Sequence, residues 1–248
     1  MPATDWGWLV TPEEFGGWIV EDRTDLVVLA KPPLVVCHPS KHGPWSSLIG
    51  AAREYFGLEV AHMPFRLDRE TSGVWLVAKT RERGSQLQRA VQERRVKKTY
   101  LAIVEGEWRD AVTVDRPIGK AEGSAVWTKR AVREDGQQAV THFEPVETRG
   151  GRTLVRAIPE TGRLHQIRVH AAWMGHPVTG DKLYGPDESL YIEFIERGFT
   201  ARLAAALPLN RQALHCESAT FFGEREERFE VPLAGDLRRF WDNMLDFY

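Results

Sequence analysis

Three stretches of the chain hold residues whose types and spacing suit chemistry. In residues 65–73, Phe-Arg-Leu-Asp-Arg-Glu-Thr-Ser-Gly, the side chains of Arg66, Asp68, Arg69 and Glu70 crowd together ahead of a turn-forming Thr71-Ser72-Gly73. Cations on either side favour the ionised form of an acid, so Asp68 reads as a carboxylate at neutral pH. On these residues alone two readings stay open: a reacting carboxylate at the mouth of a strand, or an aspartate that caps a turn. In the second stretch, Lys98-Thr99-Tyr100 opens an apolar run to Gly106, where a tyrosine is most simply half-buried packing. The third is Thr161-Gly162-Arg163-Leu164-His165-Gln166-Ile167-Arg168-Val169-His170, continuing to Gly180-Asp181-Lys182-Leu183-Tyr184-Gly185. His165, His170 and His176 invite a metal, but no cysteine or carboxylate stands at ligand spacing, and the metal reading is set aside.

The elements that must position these residues follow from periodicity. Val74–Ala78 is a short β-branched and aromatic run, read as a buried strand behind Asp68. Residues 18–21 and 26–30 form a hairpin pattern, and 35–39 read as a further extended piece after Lys31-Pro32-Pro33. Ser46-Ser47 caps a helix with apolar Leu48, Ile49, Ala52, Tyr55 and Phe56 and a stop at Gly57. Ser85–Glu93 reads as a second helix. Residues 111–155 hold successive extended segments, among them 125–132 and 138–146, with another at 153–158, separated by Asp135-Gly136 and Gly150-Gly151. Strands without intervening helices imply antiparallel sheet. The third stretch reads as strand, turn and helix ending at Gly175, followed by helices over 188–197 and 236–246 that bury Leu237, Phe240, Trp241 and Leu245.

Composition narrows the class without naming it. With 248 residues, 42% hydrophobic and 27% charged, the chain is an ordinary globular protein. No apolar run approaches the roughly 20 residues that span a bilayer. Met1–Trp6 lacks the basic start and apolar centre of a secretory signal, so a cytoplasmic protein is expected. Cys37 and Cys216 have no metal-type spacing, and nothing argues for a disulfide. The net charge of −2 does not advertise a nucleic-acid binder, yet residues 81–98 hold seven basic side chains against two acidic. Such a run is either a solvated helix face or a patch that neutralises phosphates.

The motifs carry a resemblance. Arg66-Leu67-Asp68-Arg69-Glu70-Thr71-Ser72-Gly73, the Lys98-x-Tyr100 strand and the Thr161–His170 block resemble, in order, the signatures of the RluA-type RNA pseudouridine synthases. The likeness runs from about Trp18 to Phe222 and takes in Arg211-Gln212-Ala213-Leu214-His215. It implies an α+β fold, one catalytic domain over 1–248 with a mostly antiparallel, bent sheet flanked by helices. It also implies that Asp68 is the catalytic carboxylate, that Tyr100 is the active-site tyrosine and that Arg168 pairs with Asp68. Arg66, Arg69, Thr71, Lys98, Arg163, His165 and Gln166 are the expected substrate-binding residues. Two departures stand out: Phe65 replaces the usual histidine, and Leu34 falls where a glycine follows Lys-Pro. With only about 16 residues before the first hairpin, no S4-type module is expected.

The activity implied is isomerisation of a uridine in ribosomal or transfer RNA to pseudouridine. No metal, cofactor or membrane is implied, which suits a chain without dinucleotide fingerprint or P-loop. The expected partner is an RNA stem-loop, and a monomer is the expected state. Asp68 would attack the base, attack C1′ or take a proton from the sugar, and the residues do not choose among these. Arg66 is a candidate to fill the gap left by a flipped base. The alternative is a catalytically inactive RNA-binding homologue, which would have no use for Asp68, Tyr100 and Arg168 together. A glycosidase reading of Asp68 with Glu70 lacks the second converging carboxylate.

Overall fold

In the computed structural model, which describes residues 8–39 and 42–244, the chain begins with helix α1 (Pro12–Gly17), strands β1 (Ile19–Asp22) and β2 (Leu26–Lys31), helix α2 (Leu48–Phe56), strand β3 (Ser72–Ala78), helix α3 (Arg81–Gln92) and strand β4 (Val96–Glu105). It continues through β5 (Val112–Asp115), β6 (Ile118–Lys120), β7 (Arg130–Val132), β8 (Val140–Arg149) and β9 (Arg152–Pro159). After these come α4 (Gln166–Trp173), α5 (Ser189–Arg197), α6 (Ala201–Ala206), β10 (Leu214–Phe222), β11 (Glu226–Glu230) and α7 (Gly235–Asp242). The elements group into two compact units. The first holds the described residues up to Lys98 with Cys216–Pro232, the second Thr99–His215 with the described residues from Leu233 on. The chain passes from one to the other inside β4 and returns inside β10. Met1–Trp6 and Leu245, both part of the reading above, lie outside the described residues.

In the first unit β3 is the middle strand. It pairs antiparallel with β2 from Leu26 opposite Ala78 to Lys31 opposite Gly73, and β10 flanks its other side. All seven of its residues are buried, which is why it reads as a continuous apolar run rather than an alternation. The predicted hairpin is β1–β2, and β11 adds to β10, both antiparallel. Gly73 has φ +117°, and a Cβ there would lie 2.1 Å from the carbonyl oxygen of Cys216, so only glycine fits. Around this sheet, α1 opens with a capping box between Thr11 and Glu14. Ser47 caps α2 as predicted, and Gly57 ends it at φ 63°.

Residues 35–39 form no strand, contrary to the sequence reading: the segment bends between prolines at 33 and 39, and its Val36 and Cys37 carbonyls accept from the Leu48 and Ile49 N–H groups at the start of α2, at 2.9 and 3.2 Å, instead of from a neighbouring strand. Tyr55 is exposed and Phe56 half-buried, not core; Phe15 of α1 is the ring that is buried, with Tyr55 and Phe56 packed 5.1 and 6.2 Å from it.

The second unit is built on three long antiparallel strands' worth of pairing. β4 pairs with β9 from Tyr100 opposite Ala157, β9 with β8, and β8 with β5. Gly150 and Gly151, at φ 55° and 71°, turn the chain between β8 and β9. β6 and β7 make a separate two-stranded ribbon. Only 130–132 of the extended piece read over 125–132 is strand; ahead of it Glu188 accepts hydrogen bonds from Ser124 (2.8 Å) and Lys129 (2.7 Å), which tie the segment into a loop. The ribbon's Ile118 and Val126 of the loop pack with Val169, Leu183 and Tyr184. Arg211, fully buried, donates to both carboxylate oxygens of Asp236 at 2.7 and 2.8 Å and so fastens α7. Leu237 and Trp241 bury the helix's apolar face.

Candidate active site

Asp68 lies in a turn that leads directly into β3. Its carbonyl accepts the Thr71 N–H at 3.1 Å, and the side chain is half-buried. The turn is clamped from below by Lys31, a buried ammonium at the end of β2 that donates to the carbonyls of Pro32 (2.8 Å), Arg69 (3.0 Å) and Thr71 (2.8 Å). A second tie runs from Arg69 Nε to the carbonyl of Leu34 at 3.2 Å. Leu34 holds φ 71°, a left-handed conformation that glycine would adopt without the strain leucine bears there. Arg66 is exposed, whereas Thr71 is buried.

Lys98 lies on β4 within this unit. Burial pushes its ammonium below the ordinary lysine range. Its Nζ lies 5.1 Å from the centroid of the Phe65 ring. The π-face of Phe65 attracts that cation, where a protonated histidine would repel it. The unexpected phenylalanine therefore has a physical partner. Cys37 and Cys216 are both buried and form no disulfide, and burial raises the thiol pKa of Cys37.

Replacing Lys31 with methionine is expected to leave three carbonyls with no ammonium to accept from, at a cost of about 2–4 kcal/mol in stability. Turnover should fall with little change in KM, because the turn carrying Asp68 loosens. Urea unfolding beside steady-state kinetics checks this; unchanged stability and turnover would remove Lys31 from the site.

In the second unit Tyr100 is buried on β4. Arg168, on α4, is 6% exposed and forms a bidentate pair with Asp181: Nε to Oδ2 at 2.6 Å and Nη2 to Oδ1 at 2.9 Å. Asp181 Oδ1 also accepts the N–H groups of Leu183 (2.9 Å) and Tyr184 (3.1 Å). Burial alone would raise its pKa, but the Arg168 guanidinium and those N–H groups outweigh it and hold the carboxyl below the usual range. The ring of Tyr184 lies 4.9 Å from the Arg168 guanidinium carbon, and its hydroxyl is 2.9 Å from His165 Nδ1.

The turn into α4 is held by Gln166. Its Oε1 accepts from the Thr161 hydroxyl (2.7 Å) and the Arg163 N–H (3.0 Å), while Nε2 donates to the Val140 carbonyl and the Thr141 hydroxyl, both at 2.9 Å. His165 adopts φ 58° at the helix start, and Arg163 Nε donates to the Gln138 carbonyl at 2.9 Å. His170 Nε2 donates to the Arg116 carbonyl, so Nδ1 accepts from Thr141. Burial lowers its pKa, and it stays neutral as a strut. His176 contacts the Glu105 carbonyl through Nδ1 at 2.8 Å and stacks on Trp108. Among the described residues no three His, Cys, Asp or Glu side chains converge as a metal site.

Lys31, Asp181 and Tyr184 were given no role by sequence reasoning. Asp181 and Tyr184 lie inside the third stretch, and Lys31 closes the apolar strand ahead of two prolines; a lysine at that strand end and an aspartate in Gly-Asp-Lys are the signals that could have found them.

An α+β fold of mostly antiparallel strands flanked by helices, with an Asp-bearing turn ahead of a buried strand, defines the class, and comparison with known proteins gives the family. Residues 25–173, which contain Asp68, Tyr100 and Arg168, match the RNA pseudouridylate synthase family. The chain is 35% identical over 229 residues to YjbO of Bacillus subtilis, an uncharacterised RNA pseudouridine synthase, covering 89% of this chain and 74% of that one. To a ribosomal large subunit pseudouridine synthase D of Nitrosomonas europaea it is 38% identical over 205 residues, covering 79% of this chain and 55% of that protein. In fold it is similar to human RNA pseudouridylate synthase domain containing 4, at a TM-score of 0.70 with 23% identity over 92% of both chains. The chain belongs to the RNA pseudouridylate synthase family, of the RluA type, whose activity is the isomerisation of uridine in RNA to pseudouridine.

Proposed function

We propose that the whole chain serves as one catalytic domain that isomerises a uridine in a structured RNA, with Asp68 as the reacting carboxylate and Tyr100 and Arg168 acting with it. The observation that carries this reading is the rigid seating of Arg168: a bidentate, buried pair with Asp181 presents a fixed cation from α4. In the reaction the N1–C1′ bond breaks, C1′ rejoins the base at C5, the C5 proton leaves to solvent and N1 is protonated. The base must first leave its stack, at a cost of a few kcal/mol. A carboxylate and an arginine aid the charge changes, and the Tyr100 ring stacks on the flipped base. Arg66, Arg69, Arg163 and His165 are read as contacts to RNA. Lys98 and the buried Thr71 and Gln166 are read as positioning groups.

The names of several relatives point to ribosomal large-subunit RNA as the first substrate to try, with a transfer RNA arm second. The test is tritium release from RNA labelled at C5 of uridine, with ribosomal and transfer RNA in parallel, followed by mapping of the pseudouridine. Release from one RNA class assigns the substrate. Binding without release from either would favour the inactive homologue.

A further inference from the structure

We propose that the β6–β7 ribbon and its connecting loop are an RNA-docking element, in which Trp127 stacks a base flanking the target uridine and Lys120 meets the phosphate beside it. The proposal rests on the RNA-isomerase reading and adds a specific surface to it. The ribbon has two unlike faces. Ile118 and Val126 are buried against Val169, Leu183 and Tyr184 and hold the element firmly in its unit. Outward, Trp127 is 75% exposed, an unusual place for an indole, since tryptophan is on average among the more buried residues. Lys120 Nζ stands 3.2 Å from the centroid of that ring and covers one face, so the open face remains for a second π-system.

The charges fit an anion. Lys129 pairs with Glu188 and Arg133 with Asp135, so part of the local basicity is spoken for. Lys120, Arg116 and Arg130 have no carboxylate partner among the described residues. Arg116 lies 5.3 Å from the ring of a second exposed indole, Trp173. Aromatic faces interleaved with unneutralised cations are what single-stranded nucleic acid binds, through stacking and phosphate contacts together.

The element is also tied to Arg168. The Arg130 N–H donates to the Tyr184 hydroxyl at 2.9 Å, and the Tyr184 ring lies under the Arg168 guanidinium at 4.9 Å. One side chain thus separates the ribbon from the arginine assigned to the reaction, which places Trp127 to read neighbours of the target rather than the target itself.

The test compares wild type with Trp127→Ala, Trp127→Phe and Lys120→Gln. Filter binding of total ribosomal RNA is combined with fluorescence titration by poly(U), and tritium release gives the kinetics. Trp127→Ala should raise Kd and KM about tenfold, the loss appearing in KM and not kcat, and Trp127→Phe should restore most of it. Lys120→Gln should lower the slope of log K against log salt by about 0.7. Poly(U) should quench part of the wild-type tryptophan fluorescence, and that quench should be missing in Trp127→Phe, which keeps the other eight indoles. Unchanged Kd and KM in folded Trp127→Ala would overturn the proposal while the isomerase reading stood. Wild type that binds RNA but releases no tritium would fail the isomerase reading, and the Kd comparison would still decide the docking.

Discussion

Asp68→Asn is expected to abolish tritium release, lowering turnover by roughly 10⁴-fold or more, while RNA binding changes by less than about threefold. The substitution is nearly isosteric. The backbone bond from Thr71 N–H to the Asp68 carbonyl at 3.1 Å and the Lys31 clamp do not depend on the carboxylate, so the turn should keep its shape. What is removed is the negative charge and the nucleophilic or basic oxygen required by all three routes open to this reaction. Asp68→Glu keeps the charge but moves it by a methylene, and a displacement of about 1 Å at a reacting group costs about 10²-fold. Glutamate should therefore sit well below wild type and above asparagine. Single-turnover assays with excess enzyme separate this from weakened binding. Equal turnover by wild type and Asp68→Asn would mean the carboxylate has been misassigned.

The second large effect belongs to Asp181. Its side chain is fully buried and that of Arg168 nearly so, at 0% and 7% exposure. Asp181→Ala removes the bidentate partner of a buried guanidinium, and breaking a buried pair from one side costs about 3–5 kcal/mol. That is a large part of the 5–15 kcal/mol or so that holds a typical domain, and it should lower Tm by roughly 10 °C. Activity should be lost as well, since Arg168 would no longer be held. The double variant Arg168→Met, Asp181→Leu should recover much of the stability and none of the activity, which separates folding from chemistry. Thermal and urea unfolding of the three proteins decide the matter, and wild-type stability in Asp181→Ala would sink the argument.

The same pair gives a pH dependence of known sign. A carboxyl whose folded pKa lies below its unfolded value stabilises the fold above the unfolded pKa, near 3.9, and loses that contribution as pH falls through the folded pKa. Wild type should thus lose stability on acidification below about pH 4, and Asp181→Ala should show a flatter acid limb. Parallel slopes would mean the pair does not titrate as described.

Much of this protein was legible in its sequence. Local patterns determine local structure: Val74–Ala78 had to be a buried strand because all of it is apolar, and Ser47 and Gly57 bracket a helix because one caps and the other takes a left-handed turn. The order of three polar motifs pointed to the family, since their residue types follow no helical or strand period that a fold alone would impose. Tertiary structure decided what faces what. Asp181 is 13 residues from Arg168, too far for helical spacing to pair them, and only the return of the chain after α4 brings the carboxylate under the guanidinium. Lys31 reads as a strand end until the turn 38 to 40 residues later closes over its ammonium. Trp127 is the converse. An indole beside a valine reads as core, and packing alone determined that Val126 goes in while Trp127 stays out. Burial and long-range pairing depend on contacts distant in sequence, which no local period records.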